Sequence, residues 1–330
     1  MATEEPPYGF STVTLPGIAA VPQLSDINNK GDIVGFYDAN GEHGFLLREG
    51  QVTTLDVPGA SSTAASGVND AGDIVGTYLA ESGNDVSLHG FLYSDGAFTT
   101  LDIPGAGDTQ LNGINDRGQI VAFTPASDPP APSGGFLYEN GVFTRITVPD
   151  RPDAFLVPLG INDEGAIVGI SGNQGFVLEG GQLTLIDNPF SQFPIRPEDV
   201  NNEGQVVGSL APLQRASQGF LYENGEITAF GPPVPPNQPP SAGLQGINDA
   251  GEIVGNSSGG GPGRAFAFLA TPEAPAAVDW DAVAARVQAN FAATGRWFVG
   301  DEPPLPADVD WHALAARVTA NFEATGQWFA

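Results

Sequence analysis

The sequence predicts an all-β, six-bladed β-propeller of four-stranded antiparallel blades, followed by a short C-terminal tandem α-helical repeat. Three observations carry this. One phrase recurs six times at a spacing of 39 to 47 residues, each copy parses into four short strands, and the one strand left over lies at the N-terminus. A composition of 44 Gly and 29 Pro in 330 residues agrees, because that density of turn formers favours many short strands over long helices.

The recurring phrase is Asp26-Ile27-Asn28-Asn29-Lys30-Gly31-Asp32-Ile33-Val34-Gly35, and it returns around Asn69, Asn115, Asn162, Asn201 and Asn248. Within it, Asn-Asp-x-Gly between two apolar pieces reads as a tight hairpin, in which Asn forms an Asx-turn and Gly takes the positive φ. A buried strand follows, such as Gln119 to Phe123, and then a loop that differs from copy to copy. The third strand opens with Gly-Phe-Leu-Tyr, as at Gly90 to Tyr93 and Gly219 to Tyr222. Asp95-Gly96, Asn140-Gly141 and Asn224-Gly225 supply two-residue type I′ turns into the fourth strand. The sixth copy has only three strands, the last running from Ala265 to Leu269. The orphan fourth strand is Phe10 to Leu15, ending in Pro16-Gly17. Placing that N-terminal strand in the last blade closes the ring and removes an open edge. The expected division is an arm at 1–7, the propeller at 8–270, a linker at 271–277, and helical motifs at 278–298 and 308–330 joined by a Pro-rich linker at 299–307.

The repeat resembles the HAF repeat of predicted extracellular bacterial proteins, which couples an Asn–Gly–Val-Val-Gly segment to a His-Ala-Phe segment. His43-Gly44-Phe45 and His89-Gly90-Phe91 are the nearest matches to the second segment. Gly134, Gln174, Gln218 and Arg264 stand at the histidine's place in the other copies. The resemblance covers about four fifths of the chain and transfers no catalytic residue. It implies a location outside the cell or on its surface. No N-terminal secretory signal is legible in Met1 to Pro6, so the export route is not visible and a cytoplasmic location is the alternative.

Charge and composition narrow the chemistry. Acids outnumber bases 39 to 11, a formal charge of −28, and a field of that sign argues against nucleic acid and anionic lipid as partners. No apolar run is long enough to cross a bilayer. Cysteine is absent, which excludes disulfides, thiolate nucleophiles and Cys-based zinc sites. Three histidines and no nucleophile-elbow or His-Glu-x-x-His motif leave little acid–base machinery. The reading is therefore a non-catalytic binding or assembly protein, and the alternative is a Ca²⁺-assisted hydrolase or lyase acting on a glycan-type substrate at the loop face.

Candidate site residues follow from the repeat. His43, His89, Gln174, Gln218 and Arg264 share one position ahead of the third strand and form a candidate polar ring on the face of the variable loops. The plainer reading of the two histidines is that each imidazole satisfies a backbone carbonyl. The six recurring asparagines read as turn caps rather than a ligand ring. Asp26 and Asp199 stand where the other four copies have Gly67, Gly113, Gly160 and Gly246. Two carboxylates near the axis are a candidate Ca²⁺ site, or else solvated acids at a roomier blade junction. The loops expected to carry binding are those after the second and fourth strands, with Leu79 to Leu88, Thr124 to Ser133 and Gly231 to Gly243 the longest.

The tail is a second repeat, its two copies offset by 31 residues and holding all four tryptophans. Asp279 and Asp310 are expected N-caps, and Gly295 and Gly326 expected C-terminal glycines. Trp280, Val283, Val287 and Phe291 recur at helical spacing, as do Trp311, Leu314, Val318 and Phe322, with Trp297 and Trp328 closing the copies. A lone helix of about 15 residues is marginal in water, so these apolar faces must pack on each other, on their own propeller or on a partner, and two copies so alike favour docking onto a protein partner or another copy of the chain. An export or cargo-sorting signal is the other reading of the tandem motif.

Overall fold

A computed structural model describes residues 8–82, 85–125, 132–149, 151, 154–190, 194–210, 218–232, 242–257 and 265–273. The chain divides into two compact units, Met1–Glu273 and Ala274–Ala330. The helical motifs expected in the second unit, with Trp280, Val283, Val287, Phe291, Trp297, Trp311, Leu314, Val318, Phe322 and Trp328, lie outside the described residues, as does Arg264; the register sets Phe268 opposite Gly255 as it sets Phe45 opposite Gly35, so in the last blade Phe266, not Arg264, stands at the histidine's place.

The first unit is a six-bladed propeller of six four-stranded antiparallel sheets. The first blade is β2 (Gln23–Ile27), β3 (Ile33–Asp38), β4 (Glu42–Arg48) and β5 (Gln51–Leu55). The second is β6 (Ser62–Val68), β7 (Ile74–Ser82), β8 (Asp85–Ser94) and β9 (Ala97–Thr100). The third is β10 (Gln110–Ile114), β11 (Ile120–Thr124), β12 (Gly134–Glu139) and β13 (Val142–Arg145). The fourth is β14 (Val157–Ile161), β15 (Ile167–Ser171), β16 (Gln174–Glu179) and β17 (Gln182–Ile186). The fifth is β18 (Ile195–Val200), β19 (Val206–Leu210), β20 (Gln218–Glu223) and β21 (Glu226–Phe230). The last has β22 (Ala242–Ile247), β23 (Ile253–Ser257) and β24 (Phe266–Pro272), and β1 (Tyr8–Val13) is its outermost strand.

Closure by the N-terminal strand is therefore realised, with Tyr8 opposite Pro272 and Val13 opposite Ala267. The paired strand begins at Tyr8, two residues before the expected Phe10, and ends at Val13 because Leu15 to Ile18 turn: the Ile18 amide donates to Leu15 O at 3.1 Å and Gly17 takes φ +81°. Tyr8 and Phe10 pack their rings on Phe230 of the neighbouring blade, and Phe10 also meets Phe268.

The core lies between blades rather than within them. Phe45, Phe91, Phe176, Phe220 and Phe268, one from the third strand of five blades, are wholly buried. Each sits in an apolar cluster drawn from adjacent blades. This explains the invariance of the Phe in the repeat: it is the wedge that fills the widening gap between sheets, and truncating such a ring costs about 3–5 kcal/mol. The Asn-Gly and Asp-Gly turns adopt the expected type I′ form, with both φ positive at Asp95-Gly96, Asn140-Gly141 and Asn224-Gly225. Short turns lie on one face of the ring and the variable connections on the other.

Candidate functional site

The central channel has two differently built ends. At the turn face every recurring asparagine is buried and uses both ends of its amide. Its Oδ1 accepts amides two or four residues on, as Asn115 does from Arg117 and Gln119. Its Nδ2 donates to the asparagine carbonyl of the next blade, from Asn28 through Asn69, Asn115, Asn162 and Asn201 to Asn248 and back to Asn28, at 2.9 to 3.2 Å. The expected turn-capping role is thus half of what these residues do; the other half ties each blade to its neighbour.

The following residue builds a second closed ring. The backbone amides of Asn29, Asp70, Asp116, Asp163, Asn202 and Asp249 each donate to the next blade's side-chain Oδ1 at 2.7 to 2.9 Å. Asn202 Nδ2 bridges the carboxylates of Asp163 and Asp249, and Asn29 Nδ2 reaches Asp249. Burial together with the acids around the ring raises the Asp116 carboxyl above its ordinary range.

Asp26 and Asp199 line the openings at both ends and so sit at the waist of the channel. Asp26 accepts the amides of Ile27 and of Val68 in the next blade, at 2.8 and 2.9 Å. Asp199 likewise accepts those of Val200 and, at 2.9 Å, Ile247. Where these blades have Asp, Gly160 and Gly246 stand beside them, and a β-carbon on either glycine would come within 2.8 Å of the aspartate's Cα. Burial first, then Asp199, pushes the Asp26 carboxyl well up. Asp199 is pushed to about 7, chiefly by burial and further by Glu198 and Asp249, against the two amides that lower it. Among the described residues no group of three or more His, Asp and Glu is arranged to hold a metal ion.

The loop-face end is built by a feature that the sequence reading did not find. The innermost strand of all six blades carries a β-bulge at the same place, so one residue is left without a partner in each ladder. Those residues are Ser25, Ser66, Asn112, Leu159, Glu198 and Gln245, and all six line one opening. Each sits immediately before the Gly or Asp of the repeated phrase. Arg196 stands at the same mouth and is ion-paired to Glu198 through its Nε. Burial raises the Glu198 carboxyl to about 7, against the lowering by Arg196. The available signal was a single position that varies inside an otherwise repeated phrase.

The histidine-position residues are placed elsewhere. None of His43, His89, Gln174 and Gln218 lines either opening. A carboxylate replaces the carbonyl partner expected for each imidazole: His43 Nδ1 lies 3.0 Å from Asp56, and His89 Nδ1 lies 2.8 Å from Asp102. Tyr37 and Tyr78 stack on the two rings. Gln174 repeats the arrangement, donating to Asp187 at 2.7 Å.

No family model matches the chain, and no curated protein matches it. Solved structures of propellers do. The chain is similar to YCF48 bound to D1 peptide, at 12% identity and a TM-score of 0.43, covering 84% of this chain and 98% of that one. It is similar to the β-propeller domain of the Trilobed protease from Pyrococcus furiosus, at 11% identity and TM-score 0.44, covering 78% and 85%. Trypanosoma rangeli sialidase follows at 10% identity and TM-score 0.46, covering 87% of this chain and 59% of the sialidase.

Proposed function

We propose that the propeller is a non-catalytic binding or assembly module whose ligand seats at the loop-face mouth of the channel. The observation that carries this reading is the ring of six bulges. One backbone device, repeated six times, projects six side chains of five different types into a single opening. Bulges re-aim side chains and recur beside functional sites. Conserving the device while varying the residue is what a recognition surface on a fixed scaffold requires. Polar groups predominate at the mouth, so its ligand is a polar group presented by a larger partner, held by hydrogen bonds from Asn112 and Gln245 and by the Arg196–Glu198 pair.

In keeping with the HAF-repeat resemblance, the protein works outside the cell or on its surface. Residues 278–330 serve docking or self-assembly. The support for that role is sequence alone: two near-identical apolar patterns on a proline-stiffened linker suit repeated engagement, where the second contact gains effective concentration. The mouth is tested on glycan and peptide arrays probed with the full chain, its Arg196→Ala variant and its Glu198→Gln variant. Ligands retained by the parent and lost by both variants support the reading. Substrate turnover by the parent chain, abolished at Asp26→Asn or Asp199→Asn, would replace it with an enzyme.

A further inference from the structure

In the first, second and fourth blades the residue ahead of the third strand's Gly-Phe reaches a carboxylate thirteen positions on: His43 to Asp56, His89 to Asp102 and Gln174 to Asp187. The second blade adds a third member. Two residues before this place the first and fourth blades turn, at Gly41 and Gly172, both with positive φ. In the second blade the loop expected at Leu79 to Leu88 instead prolongs β7 to Ser82 and starts β8 at Asp85. Ser87 therefore sits on a strand, opposite Ala80. Strand alternation sets residues 87 and 89 on one face, and Ser87 Oγ lies 2.8 Å from His89 Nε2.

The proton positions follow from the partners. Asp102 Oδ2 lies 2.8 Å from His89 Nδ1, and an ionised carboxylate only accepts. In the neutral imidazole Nδ1 thus carries the hydrogen, and the Ser87 hydroxyl donates to the lone pair on Nε2. Asp102 is itself held, its Oδ1 accepting the Gly90 amide at 3.0 Å. Tyr78 stands directly opposite His89 and stacks on it with centroids 5.3 Å apart, its own hydroxyl bonded to Thr100. Nucleophile, base and orienting acid are in hydrogen-bonded sequence. The His89 side chain is 27% exposed and Ser87 is half-buried, so the hydroxyl is within reach of a molecule at the loop face.

We propose that Ser87 is a nucleophile that takes an acyl group from an activated ester or thioester. Its Oγ bonds to the acyl carbon, and the bond from that carbon to the leaving oxygen or sulfur breaks. His89 Nε2 takes the hydroxyl proton and passes it to the leaving group, so the products are the serine ester and a free alcohol or thiol. Asp102 keeps the ring in the required tautomer and stabilises the transient imidazolium. The neighbouring amides decide how far this chemistry goes. Those of Leu88 and Gly90 already donate to Asp108 and Asp102, each at 3.0 Å, and are not free for an oxyanion. One such donor is worth ~10²–10³ in rate, so attack requires a leaving group less basic than an alkoxide. Hydrolysis of the product would have to expel the Ser87 alkoxide, and the acyl group stays. The site is an acyl acceptor used once per chain, and it goes beyond the binding reading of the channel mouth without depending on it.

The test treats the full chain with p-nitrophenyl acetate, and in parallel with ethyl acetate, and maps acetylated residues by mass spectrometry. The expected result is a stable acetyl group on Ser87 from the aryl ester alone, with p-nitrophenolate release ending near one equivalent. Ser87→Ala should abolish it. His89→Gln should slow it at least tenfold without lowering the melting temperature, because Gln174 makes the same carboxylate bond in the fourth blade. Asp102→Asn keeps an acceptor for Gly90 but donates to Nδ1, which puts the hydrogen on Nε2, and should slow it as well. His43→Gln, in the first blade, should change nothing. No acetyl group at Ser87, or a rate there indifferent to both His89→Gln and Asp102→Asn, overturns the nucleophile. Continued release of p-nitrophenolate that Ser87→Ala abolishes overturns the acceptor in favour of a hydrolase.

Discussion

Replacing Asn162 with alanine tests whether the asparagine ring ties the blades together. The side chain is 7% exposed; its Oδ1 accepts the Ala166 amide at 2.9 Å and its Nδ2 donates to Asn201 O at 2.9 Å. Alanine orphans the buried Ala166 amide, which costs about 1–3 kcal/mol, and removes a net bond of about 0.5–1.5 kcal/mol to Asn201. The Asn201 carbonyl keeps its second partner, the Gly204 amide, so no further penalty is added there. The total is about 2–4 kcal/mol, or on the order of 5–15 °C in Tm for a domain of this size. Asn162→Asp separates capping from blade tying. It keeps the acceptor for Ala166 but turns a buried carboxylate oxygen toward the Asn201 carbonyl. It should therefore be at least as destabilising as alanine at pH 7 and recover toward pH 4, as protonation restores a donor. Thermal melts of the three proteins at both pH values provide the readout. A shift under 2 °C for alanine, or an aspartate variant as stable as the parent at pH 7, would show that the inter-blade bond contributes nothing.

Stability should fall as pH rises from about 5 to 8, because Glu198 and Asp199 have folded-state pKa values raised to about 7 and Asp26 is also raised. The folded chain holds protons there that the unfolded chain has released, so stability is full below the unfolded value and declines through the folded one. Asp199→Asn should flatten the slope in melts across that range; an unchanged slope would refute the assignment. Removing residues 1–13 strips the outer strand from the last blade and exposes β24 as an edge, so the truncated chain should aggregate in light scattering and be rescued by a peptide of residues 8–17. Gly160→Ala would set a β-carbon 2.7 Å from Asp199 Cα and 2.8 Å from Glu198 O, so urea denaturation should show a loss of about 1–3 kcal/mol. Deletion after Glu273 leaves all 24 described strands and the closing pair β1–β24, so the melt should persist while sedimentation reveals altered self-association. Unfolding without a change in association would count against a docking tail.

What could be read in advance was whatever one repeat contains by itself. The Asn-Asp-x-Gly turns, the Phe wedge and the strand missing from the last copy are local, and they gave the blade number and its closure. The His43–Asp56 and His89–Asp102 pairs were also within reach, since Gln174 and Asp187 repeat their spacing of thirteen along the hairpin of the third and fourth strands. The inter-blade bonds were not, because Asn162 Nδ2 and Asn201 O belong to different copies and meet only once the ring exists. The bulges escaped for a related reason: the register shift between Pro197 and Asp199 is a property of β18 against β19, and nothing at Glu198 alone announces it.

The two ends of the channel are under opposite constraints, and this locates where such a scaffold can diversify. On the turn face each Asn must accept along its own chain and donate to the next, so an exchange at one blade disturbs two. A bulge residue has no ladder partner, and its side chain faces an open mouth. Exchanging it leaves the strand register and the Phe wedges in place, and among the described residues only at Asn112, whose Nδ2 donates to Pro158 O of the next blade at 2.7 Å, does it also remove an inter-blade hydrogen bond. Leu159 among five polar neighbours illustrates that freedom: the position accepts an apolar group in one blade and a carboxylate in the next without loss of the bulge. The turn face holds the ring together, and the loop face is left free to determine what it binds.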